Sequence, residues 1–163
     1  MSELLATGLG ALGFSRGFLM SLLEATPDEA FFKVPCSGGN HPAWIVGHLA
    51  LTDAFFLADL SGQALGVPES WNELFGMKTE SVEDASKYPS RQELTERLVS
   101  TREAMIGWLK SLSDEQLLKP IEGDLSQFAK NPAVLMGTLA WHEGLHTGQI
   151  GVVRRMVGLP PIV

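Results

Sequence analysis

From Leu135 to Val157 the apolar positions recur every three or four residues, and two places in that series are taken by histidine: Leu135, Leu139, His142, His146, Ile150, Val153 and Val157. That period marks one face of an α-helix, on which residues four apart stand one above the other. A fold that keeps this segment helical must therefore carry two imidazoles, a turn apart, into whatever the stripe buries. The ends agree with the period. Asn131-Pro132 offers an N-cap and a proline for the first helical position, while Gly158 and Pro160-Pro161 stop the helix.

Three more long helices are legible. Residues 4 to about 25 carry Leu5, Leu9, Leu12, Leu19, Leu22 and Leu23 on one stripe, interrupted by Gly8, Gly10, Gly13 and Gly17, which suit close approach of a neighbouring helix. Thr26-Pro27-Asp28-Glu29 reads as a short turn capped by Thr26, and CSGGN at 36–40 as loop. The second long helix opens at Asn40 or His41, with Pro42 in its first turn, and runs to about Leu60; its stripe holds Trp44, His48, Leu51 and Phe55. Ser90-Arg91-Gln92-Glu93 reads as a capping box for a third, reaching about Leu112, and Ser113-Asp114-Glu115-Gln116 repeats the signal for a small helix. No segment alternates with β-branched enrichment. The expected fold is all-α, a four-helix bundle. The connection from Gly62 to Ser90, with a short helical turn at Glu69–Phe75, is longer than an antiparallel link requires. It fits a crossover that leaves helices two and three parallel.

The length of 163 residues fits one domain, 1–163, around a single core. With 12 Lys+Arg against 19 Asp+Glu the formal net charge is -7, and the only adjacent basic pair is Arg154-Arg155. Such a surface repels a phosphate backbone, so nucleic acid is not an expected partner. The absence of a basic-then-apolar leader and of an eighteen-residue apolar run argues against a signal peptide and a membrane span. A lone cysteine, Cys36, excludes an internal disulfide framework and suits a reducing compartment; the cytoplasm is the expected location.

His48 lies in the second helix's stripe as His142 and His146 do in the fourth. Burying imidazoles in an apolar core is unfavourable unless their nitrogens are matched. Two solutions exist. Each ring can bond a backbone carbonyl or hydroxyl as an ordinary core residue, or all three can converge on one divalent ion and turn their second nitrogens outward. Three neutral nitrogens suit Zn, Ni, Co or Fe(II) rather than Mg or Ca, and leave coordination positions open. Asp53 and Gln149 are the polar residues near the histidine turns. His41, at the start of the second helix, is expected to be an N-cap or solvent-exposed.

Residues 142–146 also spell HEGLH, a formal match to the H-E-x-x-H pattern of zinc peptidases. The further ligand such enzymes need is missing, since no His, Asp or Glu follows His146. Glu143 is then either a proton acceptor beside the ion or a helix-surface or interhelix ion pair.

The segments NHPAWIVGHLALTDAFF (40–56) and LAWHEGLHTGQIGVVRRMVGLPP (139–161) resemble the two signature regions of the DinB-like superfamily. The resemblance implies a four-helix bundle with a long crossover between helices two and three. It also implies a divalent ion, most often Ni or Zn, on His48, His142 and His146. Trp44 and Gly47 match positions that pack the helix-two histidine, and Gln149 is placed to support His146 or the helix packing. Relatives with known chemistry bind a low-molecular-weight thiol at the ion and transfer it or use it for isomerisation. A metal-dependent thiol transferase acting on a small molecule is accordingly the first expectation. A hydrolase of a small molecule, with Glu143 or Asp53 as base, and a noncatalytic metal-stabilised scaffold are the alternatives. Arg154 and Arg155 are the candidates for holding an acidic thiol, Trp71, Phe75 and Tyr88 for covering the pocket mouth, and a homodimer is the expected assembly.

Overall fold

A computed structural model describes residues 1–64 and 66–162; Leu65, in the long connection, and Val163 lie outside the described residues. The helices are α1 (Glu3–Glu24), α2 (Asp28–Phe31), α3 (Pro42–Ser61), α4 (Trp71–Phe75), α5 (Arg91–Ser111), α6 (Asp114–Leu118) and α7 (Pro132–Met156). Two 3-10 turns, Ala85–Lys87 and Gly123–Gln127, were not anticipated, and no strand occurs among the described residues. The protein is all-helical.

The caps account for most boundaries. Asn131 accepts from the Val134 N–H and Ser90 from that of Glu93, while Ser113 and Gln116 close a reciprocal capping box. At Gly62 the chain turns with φ 72°, a left-handed conformation that glycine takes without strain, and α3 ends there. The expected Thr26 cap is not formed. Its hydroxyl donates back to the Leu22 carbonyl, and Pro27 precedes α2 instead. The end of α1, which lacks a terminal glycine, is closed by arginines from elsewhere. Arg91 donates to the Leu23 and Thr26 carbonyls, and Arg154 to that of Ala25. Cations are the natural partners of carbonyls left over at a helix C-terminus.

α1 packs on α7 and α5, and α3 on α5 and α7, so each long helix touches two others. The buried residues form two apolar clusters. One gathers Leu19, Leu22 and Leu23, Ala43 to Ala50 of α3, Leu94, Leu98 and Ile150. The other gathers Leu5, Leu12, Phe56, Leu57, Met105, Leu109, Leu135, Met136 and Leu139. Between them, in the sequence of every long helix, stands one charged residue that is not exposed: Arg16, Asp53, Arg102 and Glu143.

The apolar stripes need two corrections. Phe55 is 57% exposed, because the buried face of α3 widens to Phe56 and Leu57 instead. Of the α1 glycines, only Gly8 meets a neighbour, Met136; a Cβ at Gly10, Gly13 or Gly17 would stand in open space. α1 and α3 both have the length and hydropathy to cross a membrane, but 67% of the α3 window is buried inside the protein against 17% for α1. The apolarity of α3 is thus spent on the core. That of α1 is largely on the surface.

Candidate metal centre

His48 sits one turn beyond Trp44 on α3, and the indole stacks on its imidazole with ring centroids 4.6 Å apart and planes 11° from parallel. Trp44 is itself anchored, since its Nε1–H donates to Thr79 Oγ1 at 2.8 Å. His48 Nδ1 lies 2.8 Å from the carbonyl of Phe75. A carbonyl can only accept, so Nδ1 carries the proton and Nε2 presents a lone pair. The Phe75 ring reaches this position because residue 47 is glycine; a Cβ there would come within 2.5 Å of it.

On α7, His146 Nδ1 pairs with Gln149 Oε1 at 2.8 Å, which fixes its ring in the same sense. His146 Nε2 then lies 3.0 Å from His142 Nε2, and His48 Nε2 lies 3.3 Å from the same atom. The three ring nitrogens stand within 4.8 Å of one another. His142 has at most one proton to share between two neighbours that both point lone pairs at it. At least one pair of lone pairs is left facing across the gap, and a cation satisfies all three at once. Neutral nitrogen donors in this number suit Zn²⁺, Ni²⁺ and similar ions, so the residues present fit a transition metal.

The electrostatics keep the donors free. Burial first, then the neighbouring His146, His48 and Arg102, pushes the His142 imidazole down to about 3. His146 is pushed down to about 4 by burial and His48, against the hydrogen bond it donates to Gln149 Oε1. Burial lowers His48 as well, opposed by the Phe75 carbonyl. All three rings are therefore neutral at neutral pH, each with one nitrogen free of a proton.

The remaining candidates are placed differently. Glu143 is fully buried and faces arginines: Arg16 Nε at 2.8 Å, Arg16 Nη2 at 2.6 Å and Arg102 Nη2 at 3.2 Å. Asp53 receives Arg102 through two bonds of 2.7 and 3.1 Å. Both acid–base candidates thus belong to a buried layer to which each long helix gives one charge. Glu143 is the interhelix form of the ion pair rather than the surface form. Arg154 is buried and commits its guanidinium to Ala25, Thr26 and Pro160, which removes it as a cofactor ligand; Arg155 is exposed. Trp71 and Phe75 cover nothing, being core residues, and Tyr88 is half-buried against them. His41 caps α3 by accepting from the Trp44 N–H at 2.9 Å, but it is fully buried and not solvent-exposed.

His48 and His142 form part of the wall of a cleft of about 570 Å³, with Phe55, Phe56, Phe128 and Trp141 among its other sides. The hydrogen bond from His48 to the Phe75 carbonyl and the cleft wall from the 3-10 turn at Gly123–Gln127 have no signal in the sequence. Neither follows a periodic pattern, since a backbone carbonyl carries no sequence signature.

The crystal structure of a conserved protein from Enterococcus faecalis is similar to this chain with a TM-score of 0.74 at 17% identity, covering 96% of this chain and 98% of that one. At that identity the likeness speaks to the fold alone. No curated protein matches the sequence. The DinB superfamily profile matches residues 11–150, a span that takes in His48, His142 and His146 together with the whole ionic layer; the chain belongs to the DinB superfamily.

Proposed function

We propose that this protein holds a divalent transition ion, Ni or Zn, on His48, His142 and His146, and presents to it a small molecule bound in the adjoining cleft, with thiol transfer as the chemistry. The observation that carries the reading is the convergence of three Nε2 atoms, two of them left with a free lone pair because Phe75 and Gln149 hold the ring proton on Nδ1. An ion bound there supplies Lewis acidity, which favours a thiol as its thiolate near neutral pH. The chain's own contribution is orientation. Trp44 and Phe75 hold the His48 ring, and Gln149 holds that of His146.

The hydrolase alternative loses support, because Glu143 and Asp53 are turned onto arginines. A purely structural ion is disfavoured by the cleft beside two of the three ligands. The test is metal analysis of native protein purified without chelators, alongside His48→Ala and His142→Ala. One transition ion per chain, lost in both variants, is the expected result. A wild type without stoichiometric metal ends the proposal.

The same reading takes residues 1–163 as one domain and the four long helices as a bundle with a crossover. It is supported by the N-terminal halves of α3 and α5 sharing one cluster and their C-terminal halves the other. A homodimer in the cytoplasm completes it. Phe14, Phe18 and Trp141 are 83%, 37% and 66% exposed on α1 and α7, beside Leu145, Val152 and Met156. The three aromatics alone offer roughly 400 Å², about half of what one partner contributes to a standard interface.

A further inference from the structure

The cleft has a charge character that the histidines do not determine. Its walls are largely aromatic and aliphatic, and the polar side chains among them, such as Thr52, Asn72, Gln127 and Thr138, are uncharged. The one formally charged side chain there is Asp124, on the Gly123–Gln127 turn, and it makes no ion pair among the described residues. No lysine or arginine belongs to the described wall. The buried guanidinium of Arg102, whose charge acts on His142, is already spent on Asp53 and Glu143.

We propose that this cleft selects ligands with an uncharged or cationic, apolar body and rejects those whose body carries carboxylates. The inference rests on the reading of the cleft as the substrate site, and it narrows the substrate class from small thiols in general to those without acidic groups. The physics is twofold. A carboxylate entering an apolar cleft gives up hydration without a cation to replace it. It also meets the like charge of Asp124, which is exposed, so that this repulsion is screened by solvent and worth only about a few-fold in affinity, with lost hydration carrying the larger share. A neutral body of the same shape suffers neither effect, and a cationic one gives up hydration but gains Asp124 as its counter-ion.

The test uses the full chain without added metal and three probes of one skeleton: 2-naphthalenemethanol, 2-naphthylmethylamine and 2-naphthoate. Binding is followed by calorimetry, with the Trp141 indole N–H signal in NMR reporting occupancy of the cleft. The alcohol and the amine are expected to bind at least about ten-fold more tightly than the carboxylate and to shift the Trp141 signal. Asp124→Asn should bring the amine down to the alcohol, and Asp124→Lys should raise the carboxylate above it. Carboxylate binding equal to or tighter than the alcohol in the wild type overturns the proposal, as does binding that leaves Trp141 unmoved. A second arm repeats the series with neutral, cationic and anionic benzylic thiols on the metal-loaded protein. Loss of thiol binding there, with the naphthyl preference intact, removes the thiol reading and leaves the charge selection standing.

Discussion

Replacing Glu143 by Gln separates the two roles that an H-E-x-x-H spelling allows. The side chain keeps its volume and one acceptor oxygen but loses its charge, so Arg16 and Arg102 are left with Asp53 as their only counter-ion among the described residues. Glu143 is 0% exposed and Arg102 3%. Breaking a buried pair by removing one partner costs about 3–5 kcal/mol, and the retained acceptor places Gln at the low end, about 3 kcal/mol. For a domain of this size that is roughly a 6–12 °C fall in melting temperature. Urea unfolding followed by circular dichroism measures it, with an unchanged slope confirming that stability and not compactness has altered. Adding Arg16→Met to Glu143→Gln returns the layer to neutrality. The double variant should lose less than the sum of the two singles, by at least about 1 kcal/mol. A Glu143→Gln protein as stable as wild type, within about 0.5 kcal/mol, would mean that the carboxylate is not committed to the arginines and is free for proton transfer.

Gln149→Ala, which frees the His146 ring without touching an ion ligand, should weaken metal affinity about 10–100-fold in a chelator competition; affinity equal to wild type would show that the Gln149 contact does not orient the ring. The metal-free protein should lose stability as pH falls. The unfolded chain protonates these histidines below about 6.5, whereas His142 and His146 in the fold resist until about 3 and about 4. Denaturant midpoints should therefore decline between pH 6.5 and 4 in the wild type and decline less in His142→Gln, and parallel curves for the two would refute the assignment. Phe14→Asp with Leu145→Asp should convert a dimer to a monomer in sedimentation equilibrium without changing metal content; a wild type that is already monomeric at high concentration removes the dimer.

What the sequence made legible was whatever repeats along a helix. The stripe containing His142 and His146, the place of His48 on its own stripe, and the caps at Ser90, Ser113 and Asn131 follow from period and capping chemistry, whereas the convergence of His48 on the pair is what the family resemblance implied. Residues whose role depends on a partner from another segment were misplaced. Arg154 looked like a cofactor cation because only its neighbour Arg155 was visible; the carbonyl of Ala25, which occupies it, is brought close by the packing of α7 on α1. Phe55 and Phe56 are adjacent and chemically identical, and only the rotation of α3 against its neighbours decides which one is buried. Glu143 sits beside a ligand in sequence, but a step of one residue on a helix turns its carboxylate to a different face, where two arginines wait.

The layer formed by Arg16, Asp53, Arg102 and Glu143 also acts as a gauge of length. Each long helix supplies a single charge at one height, so sliding any helix by a turn would bring that charge against leucines and leave its partners alone. Apolar stripes by themselves tolerate such slippage, because one leucine replaces another. The charges do not. Fixing the four helices at this height also fixes how far His48 stands from His142 and His146, so residues that touch no ion set the spacing of those that would hold it.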